Sequence, residues 1–115
     1  MKPNARLIAY NVLIKIFKDN AYSNLALDAA LKESRLDLRD KAFASALVYG
    51  VCERLVTLDY ALSAHLSKPI GKLKIQVLTI LRLGAYQLLF MESVPSSAAV
   101  NESVSLSKKV GCSYA

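Results

Sequence analysis

The side chains with most to offer an anion are cations and one amide. Lys2, Asn4, Arg6 and Lys15 lie in the first eighteen residues, together with Lys18 and no acid. Lys72 and Lys74 lie in a second acid-free stretch, Tyr60 to Met91, with Lys68 and Arg82. Each stretch has four bases, so the remaining seven bases of the chain face all nine of its acids. Lys2, Asn4 and Arg6 of the first group and Lys72 and Lys74 of the second fall where helices should begin. A helix start presents free N–H groups and the positive end of the backbone dipole, which favours phosphate. Lysines placed there oppose the dipole, a cost that recruitment of an anion would offset. Arg39 and Lys41 repeat the pattern at a third helix start, where Asp37 and Asp40 neutralise them. We therefore assign Lys2, Asn4, Arg6, Lys15, Lys72 and Lys74 as candidate phosphate contacts. Arg82 is different. It sits mid-helix on an apolar element, where an unpaired charge is costly, and Glu102 is its expected ion-pair partner.

The inventory for covalent or metal chemistry is short. Two cysteines, Cys52 and Cys112, and one histidine, His65, exclude a disulfide scaffold and an ordinary zinc site. Cys52 is expected to be a buried small hydrophobe. The six tyrosines fall mostly at core spacing, so packing is their expected role.

These residues must be positioned by helices. Apolar residues recur at three- and four-residue intervals, and strand-like alternation is rare. A first helix should run from Asn4 to Lys18 and stop at Asp19-Asn20. A second should run from Ser23 or Asn24 to Ser34. A third, long one should extend from Leu38 to His65, capped by Asp37, on a stripe of Ala44, Leu47, Val51, Leu55, Leu58 and Leu62. Gly50 lies inside it and suits a close helix crossing or a slight bend rather than a helix end. Pro69 and Gly71 mark the clearest break. A fourth helix, Lys72 to Met91, is apolar round most of its girth, with a narrow polar row of Gln76, Thr79 and Arg82, so it should be central. A fifth should run from Ser96 or Ser97 to Val110, with Gly111 as its C′ residue. The expected fold is an all-α bundle of five helices, forming one domain over residues 1–115.

Composition agrees with a small folded domain that meets an anion. The chain has 115 residues, 54% of them hydrophobic, and a net charge of +6. That argues against disorder and for an anionic partner, nucleic acid or an acidic membrane surface. No signal peptide and no uncharged apolar span of ~20 residues is present, so a cytoplasmic, non-membrane protein is expected.

The order of motifs resembles the N-terminal, NusB-like domain of the Sun/RsmB family of 16S rRNA cytosine-5 methyltransferases. The matching stretches are Asn4-Ala5-Arg6, Ala21-Tyr22-Ser23-Asn24-Leu25-Ala26-Leu27, and Asp40-Lys41-Ala42-Phe43 with Leu47-Val48-Tyr49-Gly50-Val51. Ile80-Leu81-Arg82-Leu83-Gly84-Ala85-Tyr86-Gln87-Leu88-Leu89 and Val94-Pro95 with Ala98 to Val104 complete the series. The stand-alone transcription antitermination factor NusB is similar in fold. The resemblance implies an RNA-binding accessory domain that docks ribosomal RNA, without catalytic residues or cofactor of its own. S-adenosylmethionine and the catalytic cysteines would belong to a catalytic domain of the same parent chain. Alternatives are a module that packs on that catalytic domain, or a stand-alone antiterminator. The resemblance also implies one further helix after Gly111. Its absence predicts an exposed apolar groove and a homodimer formed through it.

Overall fold

Asn4 opens the first helix in extended conformation (φ −132°, ψ 113°). Its Oδ1 accepts from the backbone N–H of Arg6 at 2.9 Å and of Leu7 at 3.3 Å, satisfying two of the free donors of the first turn. The computed structural model describes residues 4–111. Among them six α-helices follow one another: α1 Ala5–Asp19, α2 Ser23–Glu33, α3 Leu38–Glu53, α4 Leu55–Ser63, α5 Ile75–Phe90 and α6 Ser96–Lys109, with a short 3-10 turn at Ile70–Lys72. No strand occurs among the described residues. The all-α bundle expected from periodicity is present. Asn20 ends α1 in the left-handed region (φ 57°), and Asp37 caps α3 by accepting from Asp40 N–H at 2.8 Å. Gly111 follows α6 with φ 80°, the positive value that its C′ role requires.

The long third helix is not one helix. Arg54 leaves helical geometry (φ −110°, ψ 22°) and divides it into α3 and α4. Nothing in the local sequence breaks a helix there, and the apolar spacing continues across the joint. The reason is tertiary. Ala44, Leu47, Val48 and Val51 of α3 and Leu58 of α4 are all buried, and one residue off the helical dihedrals re-aims the stripe without changing its period. The Arg54 guanidinium lies over the Phe90 ring at 4.1 Å, tying the joint to the end of α5.

The helix α5 is central, packing on α1, α3, α4 and α6. It runs antiparallel to α1: Arg6 meets Gln87 near one end, and Phe17 meets Arg82 further along. The core joins Ala9, Val12 and Leu13 to Leu27, Leu47, Val48, Val51, Leu58 and Leu83, all fully or almost fully buried. Each large aliphatic among them is worth roughly 1.5–3 kcal/mol of transfer free energy. At Gly50 a Cβ would overlap the Tyr86 ring, so α3 and α5 cross as closely as they do because glycine is there.

Burial on α5 does not follow polarity. Arg82 is buried, as its expected ion pair implied, and Thr79 is buried with it beside Leu78, Ile80 and Leu83, while Leu88 and Leu89 are 49% and 55% exposed. Thr79 donates to the Ile75 carbonyl at 2.7 Å, and Arg82 has a partner, so neither needs water. An open groove of about 270 Å³ between α4, α5 and α6 is lined by apolar side chains including Leu62, Leu81, Ala85, Leu88, Val100 and Val104.

Candidate nucleic-acid interface

The polar groups converge where α1 and α3 begin beside α6. A cleft of about 830 Å³ opens there. Asn4 and Arg6 line it from α1, Arg39, Asp40 and Phe43 from α3, and Ala98, Glu102 and Lys109 from α6. The three α6 residues sit at i, i+4 and i+11, which is one face of a helix, so the cleft runs along α6 for about three turns, roughly 16 Å.

Arg6 is the best-defined group in it. Its Nε donates to Gln87 Oε1 at 2.8 Å. Its guanidinium lies over the Phe43 ring, 5.0 Å from the centroid. Nη1 stands 3.9 Å from Glu102 Oε1, beyond hydrogen-bond reach. Gln87 is itself only 2% exposed, and its Nε2 donates to the Leu83 carbonyl at 2.9 Å, so the amide that holds Arg6 is fixed from the core. Burial lowers the Arg6 pKa from its ordinary value, and the Glu102 carboxylate opposes that shift. An arginine stays charged at neutral pH under such shifts.

The candidate contacts separate. Asn4 and Arg6 are brought together, although the Asn4 side chain is spent on the α1 cap. Lys2 lies outside the described residues. Lys15 is exposed, nine residues beyond Arg6, which at 3.6 residues per turn puts it on the opposite side of α1. Lys72 and Lys74 are exposed before α5, whose first residue, Ile75, is twelve residues and so about 18 Å along the helix axis from Gln87, the residue that holds Arg6.

The expected Arg82–Glu102 pair is not formed. Arg82 makes a bidentate pair with Asp59, Nε to Oδ1 and Nη2 to Oδ2, both at 2.8 Å. Asp59 reaches Arg82 from α4, which packs on α5. Glu102 lies by Arg6 instead. Phe43, Gln87 and Lys109 escaped the sequence reading. A glutamine within the apolar run Leu83 to Phe90 was the available signal, since a buried amide implies a partner. Among the described residues no group of His, Cys, Asp or Glu could hold a metal, and no helix is long and apolar enough to cross a membrane.

The profile described as the NusB family matches residues 3–115. The chain belongs to the NusB family. Its backbone superimposes on a solved structure of T. maritima NusB with a TM-score of 0.83 at 26% identity, covering 95% of this chain and 80% of that one. A probable ribosomal RNA small subunit methyltransferase B of Bacillus subtilis is 37% identical over 107 residues, which are 93% of this chain and 24% of that protein. The transcription antitermination protein NusB of Shewanella oneidensis is 33% identical, with 96% of this chain and 86% of that protein aligned. This NusB-family chain thus spans about a quarter of the methyltransferase relatives and most of the antitermination relatives.

Proposed function

We propose that this chain is the RNA-binding domain of a ribosomal RNA cytosine-5 methyltransferase and docks RNA through the cleft at Arg6. The observation that carries this is the cleft itself: a core-anchored arginine, with Arg39 and Lys109 on the same walls, in a NusB-family domain. Phosphate oxygens suit such cations, and contacts of this kind position RNA without reading its sequence. The rRNA methyltransferase assignment is supported by identities of 37% and 40% to methyltransferase relatives. Methyl transfer belongs to the rest of such a protein. On the same likeness we assign S-adenosylmethionine to that remainder.

The test is fluorescence anisotropy with single-stranded RNA across a salt series. The log of affinity should fall against log salt with a slope of about −0.7 per phosphate contact. Arg39→Ala with Lys109→Ala should make that slope shallower. A flat salt response would overturn the assignment.

A second reading, a module that docks protein, is favoured by the uncharged groove between α4, α5 and α6. Under it the same double variant leaves RNA binding by the parent protein unchanged. Finding a methyltransferase sequence adjoining this one in the same reading frame would exclude a stand-alone antitermination factor.

A further inference from the structure

We propose that the cleft takes one unpaired guanine of a single-stranded RNA, read by Arg6 and Glu102. This rests on the RNA-binding reading above and adds a base to it. Phosphate contact alone does not explain the cleft, because a carboxylate on its wall repels phosphate. Glu102 stands beside Arg6 at a separation too long for a hydrogen bond, so each keeps its capacity for a third group. Gln87 takes the Arg6 Nε–H, which leaves the Nη1 and Nη2 donors at the end of the fork. Phe43 covers one face of that fork. The wall therefore presents a pair of donors next to a pair of acceptors.

Nucleobase edges complement that pattern unequally. Guanine carries adjacent acceptors at N7 and O6, followed by adjacent donors at N1–H and the N2 amino group. Adenine, cytosine and uracil have no two adjacent donors beside two adjacent acceptors. Arginine on O6 and N7 with a carboxylate on N1–H and N2–H would satisfy guanine on both sides. Unpaired bases expose these edges, and RNA recognition commonly uses them. A volume of about 830 Å³ admits a nucleotide with room for its backbone to leave past Arg39 and Lys109.

The experiment uses the full chain and a 12-nucleotide uridine tract with one central guanine. Companion RNAs replace that guanine by adenine, by inosine (which lacks the N2 amino group) or by 7-deazaguanine (which lacks N7). The guanine RNA should bind at least about fivefold more tightly than the adenine and inosine RNAs. Glu102→Gln should erase the preference for guanine over inosine, read as the ratio of the two affinities in the same variant, and should not weaken binding of the plain uridine tract, because the lost carboxylate repels phosphate. Circular dichroism of this near-isosteric variant checks its fold. Equal affinities for all the RNAs, with salt-dependent binding intact, overturn the guanine site and leave the RNA-binding reading standing. The same holds if Glu102→Gln changes every affinity alike. Loss of salt-dependent binding to every RNA overturns both.

Discussion

Asp59→Ala should destabilise the domain by about 2–3 kcal/mol, between the values for exposed pairs and for broken buried ones. The side chain of Arg82 is 9% exposed and that of Asp59 26%, so water replaces the lost carboxylate only partly. What remains is a guanidinium held over Phe17 at 4.7 Å, in a position from which it cannot easily swing into solvent. For a chain of this length that loss corresponds to roughly 8–12 °C in Tm. Arg82→Ala should cost at least as much, because it leaves a carboxylate unpaired and removes packing against Phe17. The double alanine variant should lose less than the two single losses added together, since the second change removes a group already stranded. Arg82→Met with Asp59→Leu should recover most of the stability, because well-packed apolar replacement of a buried pair is often neutral. RNA affinity should stay within twofold throughout, because neither residue lines the cleft. Thermal unfolding followed at 222 nm decides the matter. A Tm shift below about 2 °C for Asp59→Ala, or strictly additive losses, would refute the view that this pair joins α4 to α5.

Gly50→Ala forces a methyl group into the Tyr86 ring and should cost about 1–3 kcal/mol, measured by urea unfolding; adding Tyr86→Ala should relieve the overlap but open a cavity. Burial raises the Cys52 thiol pKa, against the opposing pull of Arg82, so in a Cys112→Ser background thiol reagents at pH 8 should label Cys52 slowly until urea unfolds the chain; fast labelling of the native protein contradicts this. Gln87→Leu keeps the volume of the side chain but frees Arg6, and should weaken RNA binding by about the same factor as Arg6→Ala, with no further loss in the double variant. Contact between copies through the Leu88 and Val104 groove predicts a dimer in sedimentation velocity that Leu88→Glu dissolves; a monomer at every concentration refutes the dimer.

Helix positions were legible in this sequence because caps and breakers are local. Asp37, Asn20 and Gly111 act on their own or adjacent turns, and their types announce it, whereas Asn4 was read as a phosphate contact and not as the cap it is, and α2 and α6 begin with no side-chain cap. Gly50 was legible as either a crossing point or a bend, and the Tyr86 ring against it decides for the crossing. The joint at Arg54 was not, because the period of a stripe carries no information about the direction of the next helix. The ion pair was misassigned for a similar reason: Asp59 meets Arg82 through the packing of α4 on α5, which the spacing of the stripe does not show. The candidate site was half legible. Arg6 was named from its place at a helix start, yet what fixes it, Gln87, is 81 residues away and reaches it only through the antiparallel packing of α1 and α5. Lys72 and Lys74 satisfied the same local rule, and packing sent them to the far end of α5.

The helix α6 separates two surfaces of opposite character. Ala98, Glu102 and Lys109 face the cleft, whereas Val100 and Val104 face the apolar groove. Positions 100 and 104 lie about 160° round the helix from position 102, so the two sets point away from each other. A helix that only packed against the bundle would bury one apolar face and solvate the rest. Here Ala99 and Leu106 supply the buried stripe, and the flanks on either side carry different chemistry. The two surfaces should therefore respond independently. A change at Glu102 moves the choice of RNA and leaves association untouched, while a change at Val104 does the reverse. If both properties moved with either residue, α6 would be acting as one packed element rather than as a partition between two binding faces.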